Sequence, residues 1–167
     1  MDNFDLEEIL IKENLELIDG VWYSKNSEEL SYPQSWYDEC YSVEDKSFWF
    51  RHRNNCIVKS VKRFSPNCRI LDVGGGNGFV SLGLANEGIH PILVEPAIQG
   101  ALNAKKRGLK DIVCSSLDAG LKDKNQIPAI GIFDVLEHID DDDKFLLRLK
   151  DFLTYNGLLY ITVPLRV

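Results

Sequence analysis

Apolar residues along this chain fall into two kinds of stretch. Short continuous runs come first: Ile70-Leu71 with Val73, Pro91-Ile92-Leu93-Val94, Ile112-Val113-Cys114, Ile127 to Phe133, and Leu158 to Val163. Each reads as a strand buried on both faces. Between them lie stretches with apolar residues at helical intervals. Phe79 to Asn86 carries Val80, Leu82 and Leu84; Pro96 to Arg107 carries Ala97, Ile98, Ala101, Leu102 and Ala104; Lys144 to Leu153 is amphipathic. Gly88, Gly108 and Tyr155-Asn156-Gly157 supply the stops. Strand and helix alternate, which predicts an α/β domain: a doubly wound parallel sheet, flanked by helices and joined by right-handed crossovers.

The first third of the chain has a different texture. Phe4 to Ile18 alternates acids with Leu and Ile and predicts an amphipathic lead-in helix. Asp19-Gly20 is a turn signal, and Val21-Trp22-Tyr23 reads as extended. Ser24 to Tyr41 is polar and aromatic, with no regular structure assigned. Its Tyr32-Pro33, Trp36, Tyr37 and Tyr41 either form a lid over a pocket or pack this segment onto the core. Ser42, with Asp45 at capping-box distance, predicts the start of a helix running to about Phe64, ended by Ser65-Pro66-Asn67. Residues 1–41 are thus a lead-in or lid segment, and 42–167 the main domain.

The candidate chemistry centres on Arg69 to Val80, Arg-Ile-Leu-Asp-Val-Gly-Gly-Gly-Asn-Gly-Phe-Val. A strand running into glycines and then a helix brings bare backbone N–H groups, and the positive end of a helix, against a ligand. The glycines Gly74, Gly76 and Gly78 stand at the first, third and fifth places; a dinucleotide fingerprint needs the sixth, which is Phe79. The Gly-Lys-Ser/Thr end of a Walker loop is absent. Glu95 closes the second strand, where an acid can accept hydrogen bonds from both hydroxyls of a ribose.

Leu-Asp-Val-Gly-Gly-Gly-Asn-Gly resembles motif I of class I S-adenosylmethionine-dependent methyltransferases. Phe133-Asp134-Val135-Leu136-Glu137-His138-Ile139 resembles motif IV of the same superfamily, and Ser47 to Asn54 resembles a segment that precedes motif I in many small-molecule and glycan-pathway members. The resemblance spans roughly residues 42 to 164. It implies a Rossmann-like fold, S-adenosyl-L-methionine as cofactor, and a cofactor site made of Asp72, Gly74, Gly75, Gly76, Asn77, Gly78, Glu95 and Asp134. It also implies that Phe50 covers the cofactor, that Arg51 or Arg53 pairs with its carboxylate, and that Ser116, Leu117 or Asp118 meets the adenine. His138, an imidazole near the expected site, is the candidate general base. Glu137 and His138 also match a segment that is linked with a divalent metal in ubiquinone-pathway O-methyltransferases. Adjacent side chains diverge and no third ligand is evident, so no metal is assigned. Asp140 to Asp143 reads as a helix cap.

Composition narrows the partners. The net charge is −7 in 167 residues, with no basic block, which argues against a phosphate-backbone ligand. No apolar run reaches membrane-spanning length. Cys40, Cys56, Cys68 and Cys114 lack metal or redox spacing and fit a reducing, cytoplasmic setting. A small-molecule methyl acceptor with an O or N nucleophile is the expectation. The rivals are an NAD(P)-dependent oxidoreductase and a methyltransferase-like binding module without turnover. The family fold continues past its fifth strand with a helix and an antiparallel hairpin, whereas this chain stops three residues after Pro164. The expectation is that it is the N-terminal part of a longer protein, or that a homodimer partner covers the open sheet edge.

Overall fold

The computed structural model describes residues 5–25, 34–64, 69–122 and 126–164. The helix stop expected at Ser65-Pro66-Asn67 and the Tyr32-Pro33 pair lie outside them. The five expected strands are present as β3 (Ile70–Val73), β4 (Pro91–Val94), β5 (Ile112–Cys114), β6 (Ile127–Phe133) and β7 (Leu153–Thr162). Two more precede them, β1 (Leu15–Ile18) and β2 (Val21–Ser24). The sheet order is β1-β2-β5-β4-β3-β6-β7. Every neighbouring pair is parallel except β1 with β2. The chain winds outward from β3 through β4 to β5, then returns to the other side of β3 for β6 and β7. That reversal opens a crevice at the carboxyl ends of β3, β4 and β6, where open α/β sheets bind ligands.

Helices cover both faces. α3 (Phe48–Phe64) and α4 (Phe79–Asn86) pack Ile57, Val58, Val61, Val80 and Leu84 against Ile70 and Ala129. α5 (Ile98–Lys106) sets Ala101 and Ala104 on Leu93 and Ile112. On the opposite face α7 (Asp142–Phe152), with the short α1 (Leu6–Ile9) and α6 (Leu117–Gly120), closes over Leu71, Val73, Ile92, Val94 and Ile130. α4 and β6 have the bounds expected from the sequence. The doubly wound, Rossmann-like arrangement is therefore the one expected.

Three local expectations fail. The lead-in helix survives only as α1 and a 3-10 turn at Lys12–Asn14; Leu15–Ile18 is strand instead. Asp19 and Gly20, both at positive φ (50° and 80°), close a two-residue hairpin, and β2 adds in parallel to the edge of β5. Ladder hydrogen bonds and burial of Val21 outweigh the helical spacing. Ser42 is not a cap: it lies inside α2 (Gln34–Glu44), its hydroxyl donates to the Glu39 carbonyl, and the next helix starts at Phe48. The break after Glu44 has no Gly or Pro; Arg107, which caps the end of α5, captures Glu44 and Asp45 instead. Finally, Tyr155-Asn156-Gly157 does not end a helix. α7 stops at Phe152, and this trio lies in an irregularity of β7, where the register jumps from Leu153 opposite Ile127 to Leu158 opposite Ala129 and Asn156 takes φ 64°. The outer edge of β7 pairs with no described strand.

Candidate functional site

The loop at the crevice is built for close approach. Gly74, Gly76 and Gly78 take φ of 70°, 55° and 72°, which an L side chain rarely adopts. A Cβ on Gly75 would collide with Leu93 Cδ1 of β4 and stand 2.7 Å from Asp72 Oδ2, so a side chain there would force these two buried groups to shift. Gly76 has nothing within 4 Å of its would-be side chain. Behind the loop α4 starts at Phe79, and its free N–H groups and dipole favour an anion.

Two buried carboxylates frame this loop. Asp72, fully buried, accepts the Ser81 hydroxyl at 2.6 Å through Oδ2, while Oδ1 has no hydrogen-bond partner. Burial pushes its carboxyl up to about 6. A buried acceptor left open is costly, which marks Asp72 Oδ1 as an exception in this core. Glu95, 3% exposed, is bonded on both oxygens: the Gly76 N–H donates to Oε2 (2.8 Å), and the Ala97 N–H (2.8 Å) and Tyr37 hydroxyl (3.2 Å) donate to Oε1. Burial raises its pKa against these bonds.

Over the loop lies α2, and polar groups fasten it. Asn77, buried, donates to the Tyr37 carbonyl (2.9 Å) and accepts from Asn103 (3.0 Å). Asp38 accepts from Gln99 (2.7 Å) and Asn103 (3.3 Å). Arg107, with a side chain 3% exposed, is the hub. It donates to the Asn77 carbonyl (3.0 Å), to Glu44 (2.8 Å) and twice to Asp45 (2.8 and 2.9 Å), and lies between the rings of Tyr41 and Phe79. Burial raises the Glu44 pKa, while Arg107 pulls it back down.

At the end of β6, Asp134 takes φ 58°, a strained value for a residue with a side chain. Arg53 pairs with it at 2.6 Å, and the Thr162 hydroxyl donates to it at 2.8 Å. The next residue, Val135, packs on Gly74. The structure thus joins Asp72, Gly74 to Gly78 and Glu95 in one cradle, with Arg53 and Asp134 paired at its β6 side. Phe50 stands edge-on to Trp49, and Arg53 lies 6.0 Å above the Trp49 ring. Ser116 caps α6 by accepting from Ala119, and Leu117 is buried in the core behind it. His138 sits in a 3-10 turn (Leu136–His138) after β6, half exposed, with Nε2 3.9 Å from Glu137. Asp141 caps α7 as expected of the acidic run. No group of three or more metal-ligating side chains converges among the described residues. Nor is any helix there long and apolar enough to cross a membrane.

Tyr37 and Arg107 were not singled out from the sequence as individual site residues. Tyr37 stood only in the aromatic set, and Arg107 looked like an ordinary basic residue at a helix end. Their partners are 30 to 63 positions away, so no local spacing announces them.

A family model described as "Methyltransferase domain" matches residues 49–167. The chain belongs to that methyltransferase family. Among curated proteins it is similar to the ubiquinone biosynthesis O-methyltransferase of Pelagibacter ubique (strain HTCC1062), 26% identical over 62% of this chain and 45% of that protein. It is also similar to the enzyme of the same name from Rickettsia prowazekii (strain Madrid E), 24% identical over 90% of this chain and 57% of that protein. The chain therefore spans about half the length of the curated relatives it matches. Among solved structures, a SAM-dependent methyltransferase from Thermotoga maritima superposes with a TM-score of 0.54 at 23% identity, over 75% of this chain and 56% of that one.

Proposed function

We propose that this methyltransferase-family chain holds S-adenosyl-L-methionine in the crevice at the ends of β3 and β4 and serves methyl transfer to a small-molecule acceptor with an O or N nucleophile. The observation that carries the reading is the cradle. A left-handed glycine loop lies between Asp72, which keeps one buried oxygen open, and Glu95 at the end of the neighbouring strand. Bound there, the cofactor supplies a methyl group already activated on a sulfonium. The chain's own work is binding, alignment and exclusion of water. The start of α4 suits the cofactor's carboxylate, and Asp72 Oδ1 suits its ammonium. Glu95 suits the ribose diol, and Ser116 and Leu117 the adenine. Phe50 and the Arg53–Asp134 pair flank the opposite side. His138 is the group assigned to take a proton from the acceptor.

The relatives' names and the glycine at the fifth rather than the sixth place favour this over nicotinamide chemistry. We further assign residues 1–41 to a lead-in and lid and 42–167 to the cofactor domain, and place the protein in the cytoplasm. The free thiols of Cys40, Cys56 and Cys114 support that placement. Titration calorimetry tests the cofactor assignment. S-adenosylhomocysteine should bind and NADH should not, and Glu95→Ala should weaken S-adenosylhomocysteine at least about tenfold, the cost of losing hydrogen bonds to a charged group. Unchanged affinity in Glu95→Ala would remove the assignment.

A further inference from the structure

Glu95 is in the right place for a ribose but is already occupied. A carboxylate offers about four acceptor positions. In Glu95 three are filled, by the Gly76 N–H, the Ala97 N–H and the Tyr37 hydroxyl. A vicinal diol needs two. The first two donors are backbone groups of the cradle itself and cannot leave without dismantling it. Tyr37 is the only one of these three carried by a separate element, α2. Glu95 is only 3% exposed, enclosed by Tyr37 of α2 together with the backbone at Gly76 and Ala97, so a nucleoside gains that side of the carboxylate only when Tyr37 moves.

We infer that α2 is an internal competitor for the cofactor: the Tyr37 hydroxyl holds the acceptor position on Glu95 that a ribose diol requires, and α2 must lift before the nucleoside seats. This rests on the reading of Glu95 as the ribose-binding carboxylate. The latch is at the C-terminal end of α2, where Asp45 takes two hydrogen bonds from Arg107. The Asp45 side chain is 54% exposed, so water can take its side of those bonds, while Arg107, 3% exposed, keeps Glu44 as its counter-charge. Lys46 and Ser47, between α2 and α3, are the place for the backbone to turn.

Titration of S-adenosylhomocysteine into the full chain, Tyr37→Phe and Asp45→Asn tests this. Tyr37→Phe keeps the ring that packs near Gly100 and removes the competing donor. Asp45→Asn loosens the latch without touching the glycine loop. Each should tighten binding, by about three- to tenfold for Tyr37→Phe, the worth of one hydrogen bond. Hydrogen exchange supplies the sign independently. Saturating the native chain with S-adenosylhomocysteine should lower the protection of the Tyr37 to Tyr41 amides, because α2 leaves. If the native chain binds, but Tyr37→Phe binds equally or more weakly and the α2 amides gain protection, then α2 is a cover that closes on the cofactor, and the competitor is refuted. If no form binds, the cofactor reading itself falls and takes this inference with it. A thermal midpoint for each variant separates altered binding from misfolding.

Discussion

The floor and the roof of the cradle are held by different forces. The floor is β3, β4 and the start of α4. Its strand side chains are almost all buried, and Leu71, Ile92 and Leu93 are at most 1% exposed. Its cohesion is mainly apolar area removed from water, which no single partner controls and which salt barely changes; Asp72 and Glu95, buried carboxyls at the strand ends, are its pH-sensitive points. The roof is α2. Among its described side chains only Tyr37 is buried among the hydrophobic residues, and its fastenings are polar: Tyr37 to Glu95, Asp38 to α5, Glu44 and Asp45 to Arg107. The bonds of the exposed Asp38 and Asp45 trade closely with bonds to water, whereas the Glu44–Arg107 pair, 12% and 3% exposed, is the firm one. A cleft that must admit a cofactor needs that division, a rigid surface to read the ligand and a removable one above it.

The division can be broken from either side. The largest effect belongs to the floor: Leu71→Ala should lower global stability by about 2–5 kcal/mol in urea unfolding, the range for a buried leucine left as a cavity. A loss no greater than that of a surface change would contradict the packing described. Next is Asp72. Its folded pKa of about 6 stands above an ordinary 3.8, so the folded chain holds the extra proton between those values. Stability should therefore fall as pH rises from about 4 to 6, by about 3 kcal/mol from this group, and stay low above that. Glu95 shifts in the same direction. Asp72→Asn should flatten part of the slope in urea midpoints measured across that window. A slope unchanged by Asp72→Asn would place the titrating group elsewhere. The smallest effect belongs to the roof. Asp45→Asn should cost under about 1 kcal/mol globally, while α2 amides exchange faster. A global loss matching Leu71→Ala would mean that floor and roof unfold as one.

The same contrast governs what could be read from the sequence. The floor announces itself locally. Ile-Leu-Asp-Val followed by glycines is a strand and its turn within nine residues, and Glu95 ends the next apolar run. α4 and β6 were legible to the residue because periodicity and glycine stops agree with the final packing. The roof was not. Tyr37 acquires meaning only from Glu95, and Asp45 only from Arg107, across distances that no window spans. β1 is hidden because Leu15 and Ile18 fit a helical spacing, while the edge of β5 that recruits the hairpin lies far along the chain. Ser42 and Asp45 carry a capping pattern, which is equally well written inside a helix. The motifs point to Asp134 and Arg53 separately, and nothing in their spacing says that they bind each other.

The hairpin at the sheet's far side has a consequence for synthesis. Val21 finds its parallel neighbour at Ile112, which leaves the ribosome 91 residues later. At ordinary elongation rates that is a wait of roughly 5 to 20 s. Throughout it, the amino-terminal ribbon carries an unmatched row of amides and carbonyls, with β1 its sole companion. Closure of the outer rim is therefore a late event in the birth of this molecule, although the residues that perform it are among the first to emerge.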